Sequence, residues 1–502
     1  MKKKSLFASL SIFFIASIHG AEKPNILIFL ADDMGLMDTS LPFLTDGKGN
    51  PKKYPLNELY RTPNMEKLAS RGMRFETFYA NSVCSPTRIS IMTGQSSARH
   101  HTTTWILSEY NNKTPQGPPN WQWEGITKKH QTLPGLLKKD GYHTISIGKG
   151  HFGPSKSFGE IPSNFGFDIS IGGFSYGRPG SYYGQDGFGW IGGEKKRAIP
   201  DLKKYHGKDI YLTEALTIEM NEAIQNAVQK KQPFFAYMAY HAVHKPFMPN
   251  KKYAKNYESA NISKPAKAFA TMIESMDASV GAILQQLDTL GIADNTLVFF
   301  LSDNGSVAPL GGKYAIAGSA PLRGKKATHY EGGMRVPFIA AWAKTNPSNP
   351  FQQKLPIKAG TITTELGTVQ DIFPTLLDTL GVSYKGIIDG ENLAPILRGG
   401  KIDSQRDFLM HYPHGHYSSY FTVYRQGDWK LIYHYAKSAS KRYELFNLIA
   451  DPGESNNLAQ THPKKLVEML KAMSTALEDA GAQYPVAKDD PDTLLKPILP
   501  EG

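Results

Sequence analysis

The run Asn25-Ile26-Leu27-Ile28-Phe29-Leu30-Ala31 ends abruptly in Asp32-Asp33. Continuous apolar character over such a stretch is the pattern of a strand buried on both faces of a parallel sheet. A single aspartate at its end would serve as a turn or helix cap. Two adjacent carboxylates leaving a buried strand repel each other unless a cation lies between them, so the pair reads as metal ligands.

The pattern recurs outward along the chain. Residues 143–147 form a short strand that empties into Gly148-Lys149-Gly150-His151, where the glycines permit close approach to a ligand. Residues 234–240 end in His241-Ala242-Val243-His244-Lys245-Pro246, and residues 296–301 in Ser302-Asp303-Asn304-Gly305. Helical signals lie over 62–72, 133–140, 209–230, 265–290 and 368–380, and one more strand starts at Val336. This alternation predicts an α/β fold, a large doubly wound, mostly parallel sheet flanked by helices. Ligands of such sheets bind beyond the carboxyl ends of the strands. Asp-Asp, Lys-x-His, His-x-x-His and Asp-Asn each have a plain structural reading alone; four together at that edge point to a site. From residue 400 the texture changes to short strands (407–410, 420–425, 429–435, 443–446) and a closing helix over 463–480. The expected division is a signal peptide over 1–20, the α/β domain over 21–398 and a smaller antiparallel sheet with its helix over 399–502.

The signal reading rests on Lys2-Lys3-Lys4 followed by the apolar run Leu6 to Ile18, too short to span a bilayer. It implies an exported, periplasmic or secreted protein without a membrane span. Formal charge is +12, from 57 Lys+Arg against 45 Asp+Glu; loss of the leader removes three lysines and no acids and leaves +9. Such a surplus draws polyanions, or simply keeps the protein in solution. Nucleic acid is a poor partner for it, since basic helices and zinc-finger spacings are missing.

Cys84 is the only cysteine, in Cys84-Ser85-Pro86-Thr87-Arg88. An exported protein usually spends cysteines in disulfides, so this one is either a buried small hydrophobe or a reactive atom. Arg88 places a permanent cation nearby, which favours a thiolate and suits an anionic substrate. Thr93-Gly94 follow an apolar turn read as the start of a buried helix. The pattern Cys-x-Pro-x-Arg-x4-Thr-Gly resembles the signature of the formylglycine-dependent sulfatases, of the alkaline-phosphatase-like superfamily, in which this cysteine is oxidised to an aldehyde. The resemblance extends over nearly the whole mature chain. Asp32-Asp33 follow the first strand as in that family, and Gly148-Lys149-Gly150-His151 is similar to its Gly-Lys-x-His element. Ala242-Val243-His244-Lys245-Pro246 is similar to Ala-Pro-His-x-Pro with Val243 in place of proline, which leaves His244 preferred over His241. Leu322-Arg-Gly-Lys-Lys-Ala-Thr-His-Tyr-Glu-Gly-Gly333 matches a further motif and singles out Lys326 rather than Lys325; Tyr443 to Leu448 with Asp451-Pro452 match the carboxy-terminal signature.

Asp32, Asp33, Asp303 and Asn304 offer only oxygen, which selects a hard cation, calcium ahead of magnesium; a two-zinc phosphatase would need more histidines. Around them Arg88, Lys149, His151, His244 and Lys326 make a cationic ring suited to a tetrahedral monoester. The resemblance implies one calcium, also contacted by the oxidised Cys84, whose hydrated aldehyde (formylglycine, 3-oxoalanine) attacks sulfur. His244 with Lys326 then protonates the departing alcohol, and His151, oriented by Lys149, triggers release of sulfate. It also implies a formylglycine-generating maturation enzyme as partner and a sulfated polysaccharide or oligosaccharide as substrate. His101, Trp105, Arg178 and His414 are candidate sugar contacts in aromatic-rich loops. The competing readings are a phosphomonoester or phosphonate-ester hydrolase and a non-catalytic module that binds sulfated glycan.

Overall fold

The computed structural model describes residues 23–106, 116–119, 125–310, 318–403, 405–415 and 420–500. The leader lies outside the described residues, as do Trp121 and Trp123 of the aromatic loop. β1 (Asn25–Ala31), β2 (Gly72–Tyr79), β3 (His143–Gly148), β4 (Ile169–Ile171), β5 (Phe234–Ala239), β6 (Thr296–Ser302), β7 (Phe338–Trp342) and β8 (Thr361–Thr368) form one 8-stranded sheet, in the order β4-β3-β5-β1-β6-β7-β2-β8. β1 is central, as its two-sided apolar character requires. Leu27, Phe29 and Ala31 enter the core on one face of the sheet, and Ile26, Ile28 and Leu30 the core on the other. Helices Leu212–Gln229 and Lys264–Thr289 cover the first face, and helices Cys84–Thr93 and Ile372–Leu380 the second.

Every pairing is parallel except the two made by β7, which runs against both β6 and β2. The chain leaves β6 at the functional edge, and β7 starts from that same edge. Without a crossover the returning strand must be antiparallel. Two strands were not anticipated from the sequence. β4 is a short edge strand, and β8, rich in threonine, pairs only with β2. β8 occupies the approach to the helix expected from Thr368; that helix begins at Ile372, after a turn in which the Thr368 amide donates to Asp371 Oδ2 (2.6 Å). Among the described residues no helix is long and apolar enough to cross a membrane.

β9 (Asp407–Tyr412), β10 (Phe421–Gln426), β11 (Trp429–His434) and β12 (Tyr443–Asn447) make the antiparallel 4-stranded sheet, in the order β12-β11-β10-β9. Helix Pro463–Asp479 buries Leu466, Met469, Leu470, Met473 and Leu477, the single stripe of an amphipathic helix, on one face of it. The other face packs Met410, Phe421, Val423 and Ile432 against Tyr79 at the end of β2, Val83 before the Cys84 helix and Met334. Ions are buried in this joint. Lys430 Nζ reaches Glu331 Oε1 (3.0 Å) and Glu454 Oε1 (2.7 Å), all three side chains at 0% exposure. Burial raises the Glu331 carboxyl, but Lys430 and Arg335 outweigh it and hold the group down at about 2; burial leaves Glu454 up at about 7. Removing one member of a buried ion set strands the others. Lys430→Met is therefore expected to cost about 3–5 kcal/mol of unfolding free energy, measured by denaturant melts.

Candidate functional site

Four neighbouring strands end level. Gly148 of β3 is paired with Ala239 of β5, Leu30 of β1 with that same Ala239, and Leu301 of β6 with Leu30. The residues that follow each strand therefore emerge side by side. Gly148 has φ 99°, and a Cβ there would lie 2.0 Å from the Ala239 carbonyl oxygen, so only glycine lets β3 close on β5 before Lys149. Asp33 (φ 66°) and His151 (φ 63°) adopt the left-handed region, strain that a fold retains where side-chain direction matters. The turn after β5 is stitched to the end of β1 by Asp32 N–H to Ala242 O (2.9 Å) and Val243 N–H to Asp32 O (2.6 Å).

Cys84 arrives from β2. It opens helix Cys84–Thr93, which starts at the cysteine itself rather than after Arg88 as the apolar turn had suggested, and its thiol sits at the positive helix terminus. The helix is buried along its whole length and closes on Gly94 (φ 69°). One turn in, Arg88 is wholly buried; its Nε and Nη2 grip Asp303 Oδ2 (2.9 and 2.7 Å), and Nη1 donates to Lys149 O (2.9 Å). Burial works against the Arg88 charge, but Asp303 outweighs it and raises the guanidinium further.

The structure brings Asp32, Asp33 and Asp303 together, with ligand oxygens within 4.8 Å of one another and all three residues buried. Lys149 Nζ binds Asp32 Oδ2 (2.8 Å), and Lys326 Nζ binds Asp33 Oδ1. Burial pushes the Asp32 carboxyl well above the usual range; Lys149 opposes this, while Asp303 and Asp33 add to it. Asn304 Nδ2 donates to Asp33 Oδ1 (2.8 Å). Asp32 Oδ1 and Asn304 Oδ1 are buried without a hydrogen-bond partner among the described residues. Free, buried oxygens beside three carboxylates fit a hard divalent cation. Three carboxylates balance the fixed cations Arg88, Lys149 and Lys326, so a divalent ion would leave a net positive pocket for an anionic ester.

His151 faces the thiol, its Nδ1 3.3 Å from Cys84 Sγ. Its Nε2 lies 2.6 Å from the Ile106 carbonyl, which can only accept, so the neutral ring carries its proton there and turns the Nδ1 lone pair to the sulfur. Burial, then Lys149, hold this imidazole well below its ordinary pKa. A Cβ at Gly177 would come within 2.7 Å of the ring. His244 meets Asp33 Oδ2 at 3.5 Å through Nε2, while Nδ1 donates to Lys245 O (2.9 Å). Burial and then Lys326 hold it well below its ordinary pKa as well. Lys326 is the opposite case: burial lowers it, but Asp33 and Cys84 prevail and keep it charged.

Three of the four candidate sugar contacts, His101, Trp105 and His414, lie on or against the segment 101–105, and Arg178 comes from a separate stretch of chain. His414 is fully buried with Nε2 on Thr103 Oγ1 (2.5 Å), so a sugar reaches it only if its loop moves. His101 Nε2 bonds the Gly481 carbonyl (3.0 Å), Arg178 pairs with Glu194 (2.6 Å), and Trp105 packs partly buried against the joint between the sheets. Tyr182 has a place that sequence reasoning missed. From residues 154–208, a stretch rich in glycine and tyrosine, its Oη reaches both the His241 and His244 carbonyls (2.6 and 2.8 Å) and holds that turn. Neither this contact nor the Ile106 carbonyl leaves a trace in residue spacing.

A model of the sulfatase family matches residues 24–382, and a model described as the C-terminal part of N-sulphoglucosamine sulphohydrolase matches residues 325–483. The human protein N-acetylgalactosamine-6-sulfatase is 30% identical over 482 residues, covering 86% of this chain and 81% of its own. The crystal structure of Ps i-CgsB in complex with k-i-k-neocarrahexaose superposes with a TM-score of 0.71 at 23% identity, over 94% of this chain and 95% of that one. A protein solved with its substrate D-glucosamine-2-N,6-O-disulfate gives a TM-score of 0.61 at 19% identity, over 91% and 98%. These two likenesses establish a shared fold, and the family model together with the human relative establishes more: the chain belongs to the sulfatase family and is a sulfatase.

Proposed function

We propose that this sulfatase removes sulfate from a sulfated carbohydrate outside the cytoplasm, with oxidised Cys84 as nucleophile and one calcium ion held by Asp32, Asp33, Asp303 and Asn304. The observation that carries the reading is the convergence of Cys84 Sγ, His151 Nδ1 and three buried carboxylates among fixed cations at one strand edge. The carbohydrate rests on the human relative's name and on the sugars in the two solved structures.

Oxidised to the hydrated aldehyde, Cys84 would supply one hydroxyl for attack and a second whose deprotonation frees the product. Calcium would supply charge that draws in the sulfate oxygens and acidifies the attacking hydroxyl. The remaining work belongs to side chains described above. Arg88, locked on Asp303 and on the Lys149 carbonyl, cannot turn away and keeps its charge beside Cys84. Lys149 neutralises Asp32 and keeps His151 unprotonated, so that its Nδ1 can take a proton from the group at Cys84. Lys326, held charged by Asp33, is the donor placed to protonate the departing alcohol; His244, on the other oxygen of Asp33, stands beside it.

His151→Gln is expected to lower kcat by about 10²–10⁴-fold. Because burial and Lys149 depress the imidazole, activity should hold as pH falls from 8 to 6.5 and decline only below that ordinary value, and the substitution should remove this acid limb. Chelation should abolish turnover and calcium should restore it. The deciding assay is sulfate release from a panel of sulfated glycans by protein matured with a formylglycine-generating enzyme, beside a panel of phosphate and phosphonate esters. Release from phosphate esters alone would sink the sulfate reading. Glycan binding without turnover, with the aldehyde seen by mass spectrometry, would favour a binding module.

A further inference from the structure

A second group of metal-type side chains meets where the Leu322–Gly333 loop touches the small sheet. His329 from the loop, His434 ending β11 and Glu444 on β12 each bring a donor atom, and these atoms lie within 4.8 Å of one another. His434 Nε2 is 2.6 Å from Glu444 Oε1, and His329 Nε2 is 3.9 Å from that same oxygen. The two imidazoles stand edge to face with centroids 4.8 Å apart. Neither ring nitrogen of His329 has a hydrogen-bond partner among the described residues although both are shielded from water, and Nδ1 of the fully buried His434 is bare as well. Shielded polar atoms are rarely left so unless something other than the protein chain completes them.

We propose that His329, His434 and Glu444 form a second metal site, one that takes a zinc-type divalent ion. Two imidazoles and a carboxylate are the donors such an ion prefers, and they differ in kind from the oxygen-only set at Asp32, Asp33 and Asp303. Three protein ligands leave a fourth position for water. Tyr330 Oη donates to Glu444 Oε2 (3.0 Å), which fixes the carboxylate with Oε1 toward the histidines, the outer support that metal ligands usually have. The ion takes the place of the proton now shared by His434 and Glu444, and the two ligand atoms part to make room. Two cations oppose it. Arg323 Nη1 and Lys437 Nζ are each 3.9 Å from a Glu444 oxygen, and Lys437 Nζ is 3.3 Å from His434 Nε2; both side chains are 45% exposed, and Arg323 is already engaged elsewhere, donating to the Glu454 carbonyl (2.8 Å) and stacking on Tyr330 (3.7 Å). Because His329 lies three residues beyond Lys326, the ion would tie the loop that carries the active-site lysine to β11 and β12.

The test uses the full chain, saturated with calcium at the carboxylate edge and carrying Cys84→Ala so that no thiol competes. Zinc retained after dialysis is counted by mass spectrometry, and Co2+ serves as the spectroscopic probe. Expected are one equivalent of zinc per chain, the visible bands of four-coordinate cobalt with nitrogen ligands, and a higher Tm with zinc. His329→Gln and Glu444→Gln should each abolish all three while the zinc-free Tm of His329→Gln stays at the parent value. Should Glu444→Gln fail to fold, His329→Gln decides alone, because His329 has no hydrogen bond to lose. Absence of stoichiometric zinc in the parent, or zinc uptake untouched by His329→Gln, overturns the proposal.

Discussion

Cys84→Ala is expected to lower sulfate release by about 10⁴-fold or more, because it removes the attacking atom and not an accessory to it. The fold should survive the change. The thiol is small and buried, and among the described residues its one hydrogen-bonding contact is the 3.3 Å approach to His151 Nδ1, which remains anchored at Nε2 by Ile106. Thermal melting near the parent value with activity lost would separate chemistry from folding. Cys84→Ser sharpens the test. It keeps a hydroxyl in the same place and, in protein made without a maturation enzyme and shown by mass to carry no aldehyde, lacks the second hydroxyl from which His151 would take the releasing proton. A burst of at most one desulfated glycan per chain, with the sulfate retained as an ester on the serine, followed by arrest, is the expected signature, read by assay of the desulfated product and by the mass of the sulfated protein. Sustained turnover by Cys84→Ser would sink the role given to His151 and to maturation.

Legibility from sequence followed physical cause. β1, β5 and β6 were readable because a strand buried on both faces is largely apolar, and β3 because a short strand follows a helix signal stopped by Gly141; their polar endings stood out against that background. Asp32, Asp33, Lys149, His151, His244, Asp303 and Asn304 all follow those strands, so the sheet explains why they meet. Arg88 was legible as a cation beside Cys84 but its grip on Asp303 was not, and Lys326 was legible only through motif resemblance, since a glycine-rich loop does not announce where its cation points. β4 and β8 escaped because edge strands need little apolar surface, and the reversed direction of β7 follows from its start at the edge where β6 ends. The protonation state of His244 was out of reach as well. It is set by burial and by Lys326, a residue 82 positions away in sequence that only folding brings near.

The other large effect is expected at the Arg88–Asp303 pair, where stability and activity can be pulled apart. Both side chains are at 0% exposure, joined by two hydrogen bonds from the guanidinium to one carboxylate oxygen. In such surroundings attraction and desolvation nearly cancel for the intact pair, whereas loss of one partner leaves an uncompensated buried charge. Arg88→Met leaves Asp303 beside Asp32 and Asp33 with one cation fewer, and Asp303→Leu leaves Arg88 with no carboxylate in its grip. Each single substitution is expected to cost about 3–5 kcal/mol of unfolding free energy in calcium-free protein. The double variant removes both charges and fills the space with apolar atoms, so most of that loss should return. Activity should not return, because the double variant lacks both the cation beside Cys84 and one carboxylate of the proposed calcium set. Chemical denaturation of the four proteins, with sulfate release measured in parallel, provides the cycle. A coupling energy below about 1 kcal/mol would mean that the pair is not what holds the edge together, and sulfate release by the double variant at the parent rate would remove Arg88 and Asp303 from the chemistry.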